Sequence, residues 1–232
     1  MSRLEPVDPV VVLSPHLDDA VYSCAHFLSA HPSATVVTVM AGAPDAFHEG
    51  YNSSSTGESY APDAVELRRN EDRTALAFLG ATPIWLDLLD SDYVEYRPKA
   101  DYVDLVRDEI SRVLIEMSPA TVIAPMGLIH PDHLAVSDAS RGLWSRSTAT
   151  WYLYMDLPYG LAHPRAVSKR LRILRRRVGL VGLDGYSGDD AIKQQAMGLY
   201  GSQFGPTRRN YREIFDATMN ADERYWRVEN NG

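Results

Sequence analysis

Two short clusters hold most of the chemistry that this 232-residue sequence could perform. The first, Ser14-Pro15-His16-Leu17-Asp18-Asp19, sets an imidazole close to two adjacent carboxylates. The second, His130-Pro131-Asp132-His133, sets two imidazoles around another carboxylate. Residues three apart at a helix start project to one side, so His16 with Asp19, and His130 with His133, can each face a common space. Two imidazoles and a carboxylate suit zinc, and three protein ligands leave a fourth position for water, as in a catalytic site. Zinc lowers the pKa of such a water to about 7, and a neighbouring carboxylate can take its proton as it attacks an amide carbonyl. Asp18 is the carboxylate left for that task. Each cluster alone has a plainer reading, since an aspartate at a helix start is often a cap and His-Pro is often a turn. It is their joint placement that favours chemistry.

That placement follows from the elements around them. Short apolar runs at residues 9–14, 35–40, 82–86, 121–125 and 150–155 read as strands, and longer stretches at 20–28, 63–79, 101–117 and 189–200 as helices. In the third helix Val103, Val106, Ile110, Val113, Leu114 and Met117 recur at spacings of three and four. Strands alternating with helices imply a mostly parallel sheet with helices on both faces, because parallel neighbours need a crossover. In the doubly wound order 3-2-1-4-5, strands one and four are adjacent and their helices leave on opposite faces, opening a ligand crevice. The two clusters follow those two strands. Residues 44–62 read as a long surface loop. Beyond the fifth strand the pattern turns irregular, with a glycine-rich stretch from Gly179 to Gly188. No repeat or linker divides the chain, so residues 1–232 read as one domain.

Composition narrows the classes further. A net charge of -8 disfavours general nucleic-acid binding. The single cysteine, Cys24, excludes an internal disulfide framework and a cysteine-rich zinc site, and fits a cytoplasmic setting. No apolar run reaches the length of a membrane span. A small-molecule substrate is the expected partner, and a homo-oligomer is compatible with the sequence. Arg165 to Arg177 carries seven basic residues in thirteen, read as a solvated helix face rather than an anion-binding patch. His26, His31, His48 and His163 lack a partner at ligand spacing, His48 being the best of them. Asp90 and Asp92 are weaker candidates for substrate hydrogen bonds. Trp144, Trp151, Tyr152, Tyr154 and Tyr159 read first as core and second as a wall for a flat or sugar-like substrate.

At its two clusters the chain resembles the N-acetylglucosaminyl-phosphatidylinositol de-N-acetylase family, also called PIG-L or LmbE-like. The family's PHPDDE stands here as Pro15-His16-Leu17-Asp18-Asp19-Ala20, and its HxDH is complete from His130 to His133. Arg68, Glu71, Ala75, Leu79 and Gly80 match its R-x-x-E-x-x-x-A-x-x-x-L-G helix, and Lys193, Tyr200, Ser202 and Gln203 resemble its late K...Y-x-S-Q segment. The resemblance covers residues 9–143 closely and the remainder weakly. It implies a Rossmann-like fold with one zinc ion held by His16, Asp19 and His133. It further implies that Asp18 is the base, that His130 stabilises the oxyanion or protonates the leaving amine, and that Arg68 reaches the substrate. Asp132 is read either as a cap or as an outer carboxylate that orients His130. The implied function is removal of an N-acyl group, most simply acetyl, from a sugar or natural-product intermediate. The competing readings are cleavage of a larger amide conjugate and a metal-holding protein without catalysis, the latter suggested by Ala20 where the family usually has glutamate.

Overall fold

The computed structural model describes residues 3–44, 62–91, 99–202 and 213–229. The apolar runs form the centre as β1 (Val10–Ser14), β2 (Thr35–Thr38), β3 (Thr82–Trp85), β4 (Thr121–Pro125) and β5 (Thr150–Tyr154). β1 and β4 are buried along their whole length, as strands covered on both faces must be. With β6 (Gly179–Gly182) and β7 (Tyr225–Glu229) they make a seven-stranded sheet of order β3-β2-β1-β4-β5-β7-β6. The first five strands are parallel, and β7 runs antiparallel to both β5 and β6.

Alternate residues of each strand feed opposite cores. On one face Val10, Val12 and Val36 pack with Phe27 and Leu28 of α1 (Asp19–Ala30), Leu76 of α2 (Pro62–Phe78) and Met197 of α7 (Asp190–Gly198). On the other, Val11, Leu13 and Val37 pack with Ile110 of α3 (Lys99–Met117), Val136 of α4 (Pro131–Arg141) and Leu174 of α6 (Pro164–Leu174). The short α5 (Tyr159–Ala162) links β5 to α6. Helices α1 and α4, which follow the adjacent strands β1 and β4, therefore lie on opposite faces. The crevice expected between them is the switch point of the sheet.

The portion beyond β5 that reads as irregular contributes β6 and β7. Half of β6 is glycine, and β7 lacks a strict alternation of buried and exposed residues, so neither announces itself without its partners. The strand read to residue 40 ends at Thr38, with Met40 making an isolated bridge to Asp87. The loop read at 44–62 lies almost entirely outside the described residues. This late portion also secures α1. The helix is broken at Cys24 (φ -139°, ψ 19°), and the backbone N–H groups of His26 and Phe27 donate instead to the buried Glu223 carboxylate at 2.8 and 3.1 Å. Lys193, itself buried, lies 3.6 Å from Glu223. Tyr200 donates to Asp72 at 2.8 Å, and burial pushes that carboxyl up to about 6. Ser202 donates to Glu71 through both its N–H and its hydroxyl. These late residues thus brace α1 and α2.

Candidate active site and metal centre

The first cluster is shaped by its own short side chains. Ser14, the last residue of β1, donates its hydroxyl to the His16 carbonyl at 2.7 Å and accepts the Ala20 N–H at 3.0 Å, which caps α1. Asp18 occupies the N-cap position, yet its side chain makes no capping bond. Asp19 Oδ2 accepts the His16 N–H at 2.9 Å and lies 3.1 Å from His16 Nδ1. Leu17 and Ala20, which depart from the family motif, are both buried.

The second cluster is set by the turn after β4. Gly127 takes φ +86°, and a Cβ there would stand 2.6 Å from the Ser137 Cβ, so only glycine fits. Its N–H donates to Asp156 at 3.0 Å. His130 caps α4 through Nδ1, which accepts the Asp132 N–H at 3.3 Å, with Pro131 opening the helix. One turn on, His133 Nδ1 donates to the fully buried Asp156 at 2.6 Å, while Nε2 lies 3.1 Å from Asp19 Oδ2. The His16 ring centroid stands 4.8 Å from that of His130 and 5.3 Å from that of His133. The two clusters, more than a hundred residues apart, have converged.

Asp132 does not act mainly on His130. Its fully buried carboxylate accepts from His16 Nε2 at 3.0 Å, the Ser91 N–H at 3.0 Å and the Tyr102 hydroxyl at 2.9 Å, and stands 3.9 Å from His130 Nδ1. It therefore orients His16. His130 lies farther off because Asp132 is only two residues beyond it and projects to a different side.

Burial disfavours the imidazolium of His133, but Asp19 and Asp156 outweigh it and hold the ring's pKa up at about 9. His16 is raised in the same way, burial being overcome by Asp90, Asp132 and Asp19. Burial acts against the charged carboxylates of Asp19 and Asp132, yet their histidine partners hold both below the usual range. Burial and then Asp19 push Asp18 well up, against the opposing charges of His16 and Arg68. Burial and the neighbouring His16 push His130 down to about 4. Without an added cation, His16 and His133 are held protonated by this nest of carboxylates.

The donor set fits a divalent metal. Tetrahedral donors bound at about 2.0 to 2.2 Å lie roughly 3.3 Å from one another, and Asp19 Oδ2 is 3.1 Å from both His16 Nδ1 and His133 Nε2. His133 Nε2 is buried and faces Asp19 Oδ2 at 3.1 Å, the carboxylate oxygen offered to the same ion. Each of the two imidazoles directs its other nitrogen to a buried carboxylate, Asp132 or Asp156, which is how ligand histidines are commonly held. Among the described residues, the groupings whose donor atoms all lie within 4.8 Å of one another are His16 with His130 and His133, and His16 with Asp90, His130 and Asp132.

Asp156 is the residue that the sequence reading missed. The available signal was its place immediately after β5, at the same carboxyl edge of the sheet. If Asp156 supports a ligand histidine, Asp156→Ala will weaken zinc affinity by about 10- to 100-fold in a chelator competition. Unchanged affinity would remove His133, or Asp156's hold on it, from the metal account.

Arg68 lies on α2 where its charge acts on Asp18. Asp90 stands 3.5 Å from His16 Nε2. The Tyr159 ring meets His133 edge-on at 5.1 Å and so lines the site, whereas Trp144, Trp151, Tyr152 and Tyr154 are buried in the core. His26 is buried in α1 and His31 stacks on Phe27, away from the two clusters. His163 is an exposed residue between α5 and α6. His48, Asp92 and Gln203 lie outside the described residues. In the basic run Arg170 is buried and bonds the Met126 carbonyl and Asp138, while Arg165, Lys169, Arg172, Arg175, Arg176 and Arg177 are exposed. No helix among the described residues is long and apolar enough to cross a membrane.

Comparison with known proteins agrees with this geometry. The chain is 28% identical over 204 residues to the 2'-N-acetylparomamine deacetylase of Streptomyces fradiae, covering 83% of this chain and 72% of that one. Its structure is similar to that of the deacetylase Dbv21, which acts on the pseudoaglycone of the antimicrobial reagent A40926 (TM-score 0.77, 27% identity, 96% of this chain and 98% of that one). It is similar as well to the zinc-inhibited form of teicoplanin deacetylase (TM-score 0.73, 27% identity, 94% and 97% covered). All three are deacetylases by name, and a further similar structure is a deacetylase of the teicoplanin biosynthesis pathway (TM-score 0.73, 27% identity, 94% and 97% covered). The family model for GlcNAc-PI de-N-acetylase matches residues 11–143, the segment that carries both clusters, Arg68 and the strands that position them, and the chain belongs to that PIG-L family.

Proposed function

We propose that this protein is a zinc-dependent N-deacetylase, binding one ion per chain through His16, Asp19 and His133 and freeing an amine on a sugar-bearing natural-product intermediate. The observation that carries the reading is the Asp19 carboxylate oxygen poised 3.1 Å from one nitrogen of each histidine, with Asp18 beside it and no capping bond to occupy it. A zinc ion held there would polarise the amide carbonyl and make a water acidic enough to attack it near neutral pH.

Asp18 takes the proton from the attacking water. A nearby cation favours its ionised form against the burial that raises it. His130 acts as a neutral donor. Its Nδ1 accepts the Asp132 N–H, so its proton is on Nε2, and its pKa of about 4 leaves the imidazolium scarce at neutral pH. Nε2–H can therefore stabilise the oxyanion as the carbonyl becomes tetrahedral, and the same donor cannot be the main acid for the amine. As the C–N bond breaks, Asp18 returns its proton to the departing nitrogen, giving a carboxylic acid and a free amine. Arg68, whose charge already acts on Asp18, is assigned to the substrate side of the site. Cys24, buried and free, suits the cytoplasmic setting we assign to the enzyme.

The decisive assay incubates the zinc-loaded protein with a panel of N-acetylated amino sugars and measures acetate and free amine together. Equimolar release of both is expected. Release of only a longer acid from matched N-acyl substrates would favour cleavage of a larger amide, and no release from any of them would favour the non-catalytic metal-holding reading.

A further inference from the structure

Ile129, one residue before His130, combines two unfavourable features. Its φ is +62°, in the left-handed region that a β-branched side chain rarely adopts. The residue is also 49% exposed, although the flanking Leu128 is buried in the core. The conformation is forced from both sides. Gly127 is pinned through its N–H to Asp156, Leu128 is held in the apolar cluster, and His130 is fixed by capping α4. The His130 N–H donates to the Leu128 carbonyl at 2.7 Å, closing a three-residue turn with Ile129 at its apex. That turn with positive φ at its centre is the rare, strained form. Glycine would take this position without strain, and asparagine with little. Neither fold nor solvent explains an isoleucine there. Strained residues that their surroundings over-determine are concentrated at ligand-binding positions, and this one is at the carboxyl edge of β4 beside the converged histidines.

We infer that Ile129 is a specificity-determining contact, covering an apolar face, aryl or alkyl, on the scaffold that bears the scissile amide. The inference rests on the deacetylase reading and adds the chemistry of the leaving part. The acyl carbon must enter among His16, His130 and His133, so the rest of the substrate extends outward past the rim. An exposed isoleucine adjoining His130 can gain only from an apolar surface, since sugar hydroxyls would be desolvated against it. Sealing it adds hydrophobic burial that a bare acetamido sugar cannot supply.

The test uses two probes, the phenyl and the methyl glycosides of N-acetylglucosamine, with zinc-loaded protein. The ratio of kcat/KM for phenyl over methyl is measured in the wild type and in Ile129→Gly, Ile129→Asn and Ile129→Leu. Gly and Asn accept the backbone conformation and remove the apolar group, while Leu restores it. We expect the ratio to fall about five- to twentyfold in Gly and Asn and to be largely recovered in Leu. The Gly variant should also melt no lower than the wild type, since its strain is relieved. A ratio unchanged in Gly and Asn, including an equal fall for both probes, overturns the inference, because the residue then acts only through the backbone of His130. Calorimetric Kd values for the two probes are taken on the same proteins. Phenyl-selective binding that depends on Ile129 without turnover would sink the deacetylase reading alone. Binding that is indifferent to Ile129 would sink the inference, whatever the turnover.

Discussion

Asp18→Asn should keep its metal and its fold and lose about 10² to 10⁴ in kcat, the usual worth of a positioned general base. Asp19→Ala, one residue along, should lose the metal itself. Asp19 touches His16 through both its N–H and its ring, and touches His133 as well, so removing it takes away a charged ligand and the contact that joins the two clusters. Asp18 makes no capping bond, so amidation there costs α1 little. Zinc content and kcat, measured on both variants, separate the roles. Should Asp18→Asn lose its metal while Asp19→Ala retains it, ligand and base have been exchanged.

His130→Ala should lower kcat by about 10² to 10³, the cost of removing one oxyanion donor, and should do so evenly from pH 6 to 9. The flat effect follows from the direction of the shift. Burial and the positive neighbour His16 hold His130 down at about 4, and a divalent cation bound to a then neutral His16 would keep positive charge beside it. Its imidazolium form is therefore already lost below the assayed range, and no limb of the profile between pH 6 and 9 belongs to it. Had His130 been the acid that protonates the amine, the rate would show an alkaline limb that His130→Ala abolishes. A pH profile of kcat/KM for the two proteins decides between these roles. A limb present in the wild type and missing in the variant would restore the acid role.

The five parallel strands and their order were readable because each is a short apolar run closed by a turn or a helix start, and the crevice followed from that order. β6 and β7 were not readable. Gly-Leu-Val-Gly gives no β-branched pattern of its own, and Tyr225 to Glu229 becomes a strand by lying between β5 and β6. The site divides in a similar way. Residues near in sequence, such as His16 with Asp19, are legible because helix geometry puts them on one side. Asp156 pairs with His133 across 23 residues, and its partner is decided only when β5 is laid beside β4. Asp132 was noticed as a cap or as an outer carboxylate for His130, since local spacing points there, and only the folded chain brings in His16. The break at Cys24, held by Glu223 from the far end of the chain, could not have been foreseen from the helical stretch that contains it.

Anomalous scattering at the zinc edge, from crystals of protein reconstituted with zinc and freed of excess metal, tests the central claim most directly. One peak is expected, at about 2.0 to 2.2 Å from His16 Nδ1, an Asp19 carboxylate oxygen and His133 Nε2, with Asp18 near the ion but outside its ligands. A peak centred instead among His16, Asp90, His130 and Asp132, or no peak in protein that still releases acetate, would contradict the account.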